Sequence, residues 1–496
     1  MRMFGTNGVR GIANDSLSCE LALRMGKSIG TVLGPTVALA YDTRTSSCMI
    51  RDAVRAGLVS VGADVIDLGM VPTPALQHYV KMRPGITGGV MITASHNPPE
   101  YNGIKCISSD GTECSHEEEQ RIEDAYDGDI RCVGWDSIGT VRHVLDAAEE
   151  YVDSIVSKVD IGSIRAAGLT VCVDCANGAS VETAPMLMSR LGVRAITING
   201  NPQGEFPGHP SEPTEENLAA LKRLVVDTGA DLGIAHDGDA DRCVFVASDG
   251  RFVSGDLSLA LLARNELSRK NGGKVMVTVA TSKVVEDTVE ANGGKTVYTA
   301  VGSPIVAREM ISDGGIFGGE ENGGLIFADH QYCRDGGMGA ARMLESIARN
   351  GPLYEQVDSL PRYRTIKKAV RCPDCLKTEV IETVCGMHKD GRIDRRDGLR
   401  IDFDDGWVLI RPSGTEPKFR IYSESKDDGI AEARSESFVR EIEDIIRERA
   451  RSLFDGLPEL RLELHHRLHL GGIYATVLRH VQRHVISEDD RPEHVL

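Results

Sequence analysis

The chain is expected to fold as α/β three times over and then as α+β: three domains on mixed, mainly parallel sheets, followed by a C-terminal domain on an antiparallel sheet. Three observations lead there. Short apolar runs alternate with helical stretches through the first three quarters of the sequence, which is the rhythm of βαβ units. That rhythm recurs about every 100 residues, the usual size of one domain. Beyond residue 361 the strand-like runs follow one another directly and are closed by one long helix, as in an antiparallel sheet with a covering helix.

In residues 1–150, strands are expected at 37–41, 64–68 and 88–92, with a helix over 49–61. In 151–255 the strands fall at 169–174, 195–198 and 231–235. In 256–360 they fall at 274–279, 296–299 and 315–318, and a helix covers 256–269. The segment 361–452 carries strands at 399–403, 407–410 and 419–423 and a helix over 430–449. Residues 453–496 hold six of the fourteen histidines without consistent metal spacing; an amphipathic helix is expected over 470–485, in an added tail or an oligomerisation element.

Five segments carry chemistry. Ser95 lies in Met91-Ile-Thr-Ala-Ser-His-Asn-Pro-Pro-Glu-Tyr-Asn-Gly-Ile-Lys105, just past an apolar strand. Pro98, Pro99 and Gly103 exclude regular structure there, and the strand should hold the serine hydroxyl out toward solvent. His96 and Lys105 stand close enough in sequence to move a proton or steady an anion; an ordinary polar turn is the alternative. The second segment is His236-Asp-Gly-Asp-Ala-Asp-Arg242. Asp237, Asp239 and Asp241, spaced by small residues, can converge on one hard cation. An all-oxygen set favours Mg²⁺ over zinc. A solvated acidic turn fits poorly between two apolar strands, and an EF-hand lacks its later ligands because Cys243, Val244 and Phe245 resume a strand.

The third, Arg411-Pro-Ser-Gly-Thr-Glu-Pro417, offers hydroxyls, exposed backbone N–H groups and an arginine, a nest for a phosphate. The fourth, Gly318-Gly-Glu-Glu-Asn-Gly-Gly324, sets carboxylates and an amide among glycines, suited to sugar hydroxyls or equally to a flexible acidic loop. The fifth, Phe4-Gly-Thr-Asn-Gly-Val-Arg-Gly11, places Arg10 on a glycine-rich start.

Composition points to a globular enzyme: 41% hydrophobic residues suffice for several cores, and no run of eighteen apolar residues could span a membrane. Neither a membrane nor, at a net charge of −18, a nucleic acid is an expected partner. The start Met-Arg-Met-Phe-Gly-Thr lacks a signal-peptide core, and twelve cysteines in so long a chain do not make a disulfide scaffold, so a reducing cytoplasm is expected. Cys372-Pro-Asp-Cys375 has no second pair at matching spacing for a zinc site.

In this order and spacing, the five segments closely resemble the α-D-phosphohexomutases, over nearly the whole chain to about residue 450. Thr93-Ala-Ser-His-Asn-Pro98 is similar to that family's phosphoserine loop, Asp237-Gly-Asp-Ala-Asp-Arg242 to its metal loop, Gly319–Gly323 to its sugar loop and Arg411–Thr415 to its phosphate loop. The opening segment is most similar to the glucosamine-phosphate branch in its archaeal form. The resemblance implies four domains around a central cleft, as a monomer or homodimer, and a phosphorylated hexose or hexosamine as substrate. It further implies a phosphoryl group carried by Ser95, Mg²⁺ held by the three aspartates and an oxygen of that phosphate, and a sugar bisphosphate as activator. Glucosamine 6-phosphate and glucosamine 1-phosphate would interconvert through a bisphosphorylated sugar; mannose or glucose phosphates are the alternative. Arg411, Ser413, Gly414 and Thr415 would hold the substrate phosphate, Glu320 and Asn322 would read ring hydroxyls, and Arg242 would clamp phosphate. Arg10, His96 and Lys105 are the candidates for proton transfer or electrostatic support, Lys105 needing a lowered pKa to act as a base.

One departure stands out. Many bacterial members carry Ser and His where this chain has Asn322 and Gly324. Gly324 cannot carry a proton, so the role of that histidine does not transfer. A Ser95-dependent phosphatase and a non-catalytic binding protein are the remaining readings; the first gives the phosphate loop no purpose, and the second leaves Ser95 and the aspartates without one.

Overall fold

The computed structural model describes residues 3–455 apart from 6, 390 and 415, and leaves aside the side chains of 450–455. The chain divides after Arg362 into two compact units. The helix expected over 470–485 lies outside the described residues.

Three sheets make up the first unit. One has six strands in the order Val9–Ile12, Tyr101–Ser108, Gly88–Ile92, Thr36–Tyr41, Asp64–Met70 and Val141–His143. The second runs Phe252–Val253, Cys243–Ala247, Leu232–His236, Thr170–Asp174, Arg194–Ile198, and the third Gly294–Thr299, Gly273–Thr278, Gly315–Gly319, Leu325–Phe327, Gln331–Arg334. Each has a parallel centre. Those central strands are largely apolar because helices cover both faces; Gly88–Ile92 and Leu232–His236 are buried at every residue.

Each sheet then turns one central strand back on itself. Gly88–Ile92 pairs antiparallel with Tyr101–Ser108, Leu232–His236 with Cys243–Ala247, and Gly315–Gly319 with Leu325–Phe327. The phosphoserine-like, metal-like and sugar-like segments are the three connections of these hairpins. They leave the carboxyl ends of strands that parallel neighbours lock on the other side, where α/β sheets place ligands. A recurrent core supports them: in the first sheet Ile29, Leu39, Val54, Leu58, Val90 and Ile104 are wholly buried together.

Among the described residues the second unit holds an all-antiparallel five-stranded sheet, Arg364–Arg371, Lys418–Ser425, Gly406–Pro412, Leu399–Phe403 and Arg392–Asp394. The helices Asp374–Met387 and Asp428–Asp455 pack with it around Val380, Val408, Phe419, Ile421 and Ile442. Its two outer strands are charged enough to hide their apolar alternation, and sequence pattern does not reveal them.

Candidate active site

The hairpin connections of the first two sheets touch. Ser95 follows its strand in a left-handed conformation, φ 52°, with its N–H on Thr93 Oγ1 at 2.8 Å. Its hydroxyl does not face solvent as the sequence suggests: Ser95 is wholly buried and donates to Asp237 Oδ2 at 2.8 Å. The reason lies in the metal-like loop, which folds over it. Gly238 packs so closely that a Cβ there would sit 2.5 Å from the Ser95 carbonyl oxygen, so only glycine admits this approach.

Asp237, Asp239 and Asp241 are buried and offer carboxylate oxygens all within 4.8 Å of one another. Each of the latter two has one oxygen engaged. Asp239 Oδ2 accepts from Lys105 Nζ and Thr73 Oγ1, both at 2.6 Å, and Asp241 Oδ2 from Arg334 at 2.6 Å. Their Oδ1 atoms are buried with no hydrogen-bond partner among the described residues. Oriented, half-satisfied carboxylates converging on one point are what a divalent cation requires. Asp237 shows the same demand: burial, then repulsion from Asp241 and Asp239, holds its carboxyl well above the usual range. The residues fit magnesium.

With Arg334, three further cationic side chains surround this point. Arg242 donates to Glu212 Oε1 at 2.8 Å and lies 3.9 Å from Asp237 and 3.8 Å from Asp241. Arg10 binds Asn97 Oδ1 at 2.6 Å, and burial lowers its guanidinium from the usual value. Lys105 stands on the strand Tyr101–Ser108, fully buried between Asp239 and Asp241. Burial alone would lower its ammonium, but those two carboxylates outweigh it and hold it above the usual range. The lowered pKa that a Lys105 base needs is therefore absent, because its partners arrive from the connection of a different sheet. His96 is pushed down to about 2 by burial and by Arg242, Arg10 and Arg334. It is neutral, so its approach to Glu212, 3.4 Å away, is not an ion pair. Nδ1 accepts from Arg242 at 3.2 Å, which leaves the ring proton on Nε2.

The sugar-like loop joins the same site. Glu320 is buried, with Oε1 accepting the Gly302 N–H at 3.1 Å and Oε2 facing Arg334 at 3.3 Å. Asn322 Oδ1 accepts the Gly324 N–H at 3.1 Å. In the second unit, Arg411 ends its strand with Nε on Asp397 at 2.7 Å. Ser413 Oγ accepts the Glu416 N–H at 3.2 Å, and Lys377 donates to the carbonyls of Ser413 and Glu416, each at 2.6 Å. Gly414 looks onto open space. Thr415 lies outside the described residues.

Sequence reasoning missed Arg44, Thr73, Glu212 and Arg334. Arg44 had a signal, since Asp42-Thr-Arg44 follows a central parallel strand directly. Wholly buried with Asp42, its guanidinium donates to the carbonyls of Ser95, Asn97, Pro98 and Tyr101 at 2.6–3.0 Å. It is the template on which the serine loop is wound. The other three reach the site across elements far apart in sequence and had none.

A buried serine, an aspartate triad and a ring of cations are the kinds of group that metal-assisted phosphoryl transfer uses. The chain belongs to the phosphoglucomutase/phosphomannomutase family, the α-D-phosphohexomutases: residues 1–130, 149–250 and 254–363 match its alpha/beta/alpha domains I, II and III, and 368–442 its C-terminal domain. It is 45% identical, over 90% of its length and 98% of the relative's, to a probable phosphoglucosamine mutase of Methanopyrus kandleri. A phosphoglucomutase/phosphomannomutase of Thermococcus kodakarensis is 41% identical over 90% and 99% of the two chains. Among solved structures, a phosphoglucomutase/phosphomannomutase family protein of Burkholderia thailandensis superposes with a TM-score of 0.81 at 28% identity, covering 89% of this chain and 96% of that one.

Proposed function

We propose that the chain interconverts glucosamine 6-phosphate and glucosamine 1-phosphate through a phosphoserine at Ser95 and a bisphosphorylated sugar. The observation that carries this reading is the Ser95 hydroxyl on Asp237 at 2.8 Å, beside two carboxylates that each keep one buried oxygen without a partner. Magnesium bound by Asp237, Asp239 and Asp241 would offset the charge that builds on the transferring phosphoryl group.

The chain's own residues do the rest. Asp237 aims the serine oxygen. Lys105, Arg10 and Arg242 supply positive charge, with Lys105 serving as electrostatic support. Neutral His96 donates from Nε2. Glu320 and Asn322 read ring hydroxyls, and Arg411, Ser413, Gly414 and Thr415 are the phosphate-holding residues of the second unit. On this reading the segments 1–150, 151–255, 256–360 and 361–452 are the four domains. With twelve cysteines free of disulfides, a reducing cytoplasm suits the enzyme. Among the described residues no helix is long and apolar enough to cross a membrane.

A second reading, mannose or glucose phosphates as substrates, is favoured by the Thermococcus kodakarensis relative at 41% identity. The two are separated by giving the protein, with Mg²⁺ and a trace of sugar bisphosphate, the 1- and 6-phosphates of glucosamine, glucose and mannose and following isomers by ³¹P NMR. Preference for glucosamine phosphate supports the first reading. Faster turnover of mannose or glucose phosphate moves the enzyme to the second. No isomer from any sugar, with Ser95 phosphorylated, overturns both.

A further inference from the structure

Gly324 is the place where the sugar loop lacks a side chain, and the structure shows what occupies the room. A Cβ on Gly324 would lie 2.4 Å from Arg334 Cδ and 3.0 Å from its Cγ. Arg334 comes from the strand Gln331–Arg334, is nearly buried at 7% exposure, and crosses behind the loop. One terminal nitrogen donates to Asp241 Oδ2 at 2.6 Å and the other to Glu320 Oε2 at 3.3 Å. Its Nε is buried with no hydrogen-bond partner among the described residues. One planar cation thus holds one aspartate of the metal loop and the carboxylate of the sugar loop.

We propose that Arg334 is the positioning residue that couples cation binding to sugar recognition in this chain, and that Gly324 is glycine in order to admit it. The inference rests on the magnesium-dependent mutase reading and deepens it. By occupying Asp241 Oδ2, Arg334 leaves Oδ1 buried and without a hydrogen-bond partner among the described residues. By occupying Glu320 Oε2 with the same guanidinium, it makes the position of Glu320 depend on that of Asp241. A fork with two fixed directions does this; a flexible point charge does it poorly. Partners of this kind orient a metal ligand and commonly change metal affinity by about 10–100-fold when removed.

The test measures Mg²⁺ affinity by calorimetry on the whole chain, without sugar and then with saturating glucosamine 6-phosphate. It compares the wild type with R334M, R334K and G324A. Wild type should bind Mg²⁺ more tightly when sugar is present. R334M should weaken Mg²⁺ binding by about 10-fold or more and abolish the sugar effect, and R334K should restore affinity in part but not the coupling. G324A keeps the arginine but displaces it, so it should mimic R334M; urea unfolding of each variant, run beside the calorimetry, shows whether the loss comes with the fold intact. In R334A/G324A the second change should add nothing to the loss measured in R334A alone. Unaltered Mg²⁺ affinity and coupling in R334M or in G324A would overturn the proposal. Isomerisation assayed alongside separates the two levels: if wild type binds Mg²⁺ yet isomerises no phosphosugar, the mutase reading fails and the affinities alone decide on Arg334. A wild type that binds no Mg²⁺ overturns both.

Discussion

At the scale of single residues, the site is a balance of buried charges that only works in company. Ser95 has its hydroxyl on a carboxylate and its carbonyl on Arg44. Removing the hydroxyl in S95A should lower isomerisation by about 10³-fold or more, since that oxygen is the group proposed to carry the phosphoryl; initial rates by a coupled assay check this. Arg44 acts through the backbone. R44M leaves Asp42 buried without its cation and frees four carbonyls, and loss of one partner from a buried pair costs about 3–5 kcal/mol. The expected outcome is a shift of that size in urea unfolding, with Ser95 phosphorylated more slowly by sugar bisphosphate.

At the scale of elements, the same device is used three times: a parallel strand, a hairpin connection, and an antiparallel return strand. The connection is short enough to be rigid and starts from a strand held on both edges. Two connections meet where Gly238 lies against Ser95, and the site tolerates no atom there. G238A should force the loops apart by the 0.5 Å or more that a 2.5 Å contact lacks from ordinary packing. It should cost about 1–3 kcal/mol or more as overpacking, and should lower kcat more than it raises KM. Thermal unfolding together with steady-state kinetics decides the outcome.

At the scale of the first unit as a whole, polar contacts join the sheets. Thr73, which starts the helix Thr73–Lys81 beside the first sheet, binds Asp239 of the second. On the same helix His78 stacks on His330, ring centres 5.4 Å apart, and His330 in turn binds Asp335 at 2.9 Å, which also accepts from Tyr151 at 2.5 Å. Burial, His330, Lys81 and Arg83 push the His78 imidazole down to about 4, Asp335 opposing them. Its folded pKa lies below the unfolded value of about 6.5, so the unfolded chain binds the extra proton. Stability from neutral His78 is thus present above pH 6.5 and is lost as pH falls from there toward 4. Between pH 7 and pH 5 the loss should be about 2 kcal/mol. H78Q should lose less than wild type over that interval in urea unfolding, which removes the contribution of other titrating groups from the comparison.

How much was legible follows from these scales. The strands at 88–92 and 399–403 appear at the expected residues, because apolar period and turn residues are local properties. The edge strands Arg364–Arg371 and Arg392–Asp394 were not legible, since their charged residues suit an exposed face and mask the alternation. Asp237, Asp239 and Asp241 could be read as one site because their spacing along two residues' reach already brings them together. The burial of Ser95 could not, because the residue that covers it stands more than a hundred positions away.

The sequence by itself determined most of the central strands, the loops that follow them and the chemical kinds of group those loops carry, all of which depend on interactions within a few residues. Tertiary structure alone decided the state of those groups. It made Lys105 an ion-paired ammonium, His96 a neutral donor, Arg44 the template of the serine loop and Arg334 the occupant of the room beside Gly324. Burial and charge act through space, and the partners that set them come from other strands and other sheets.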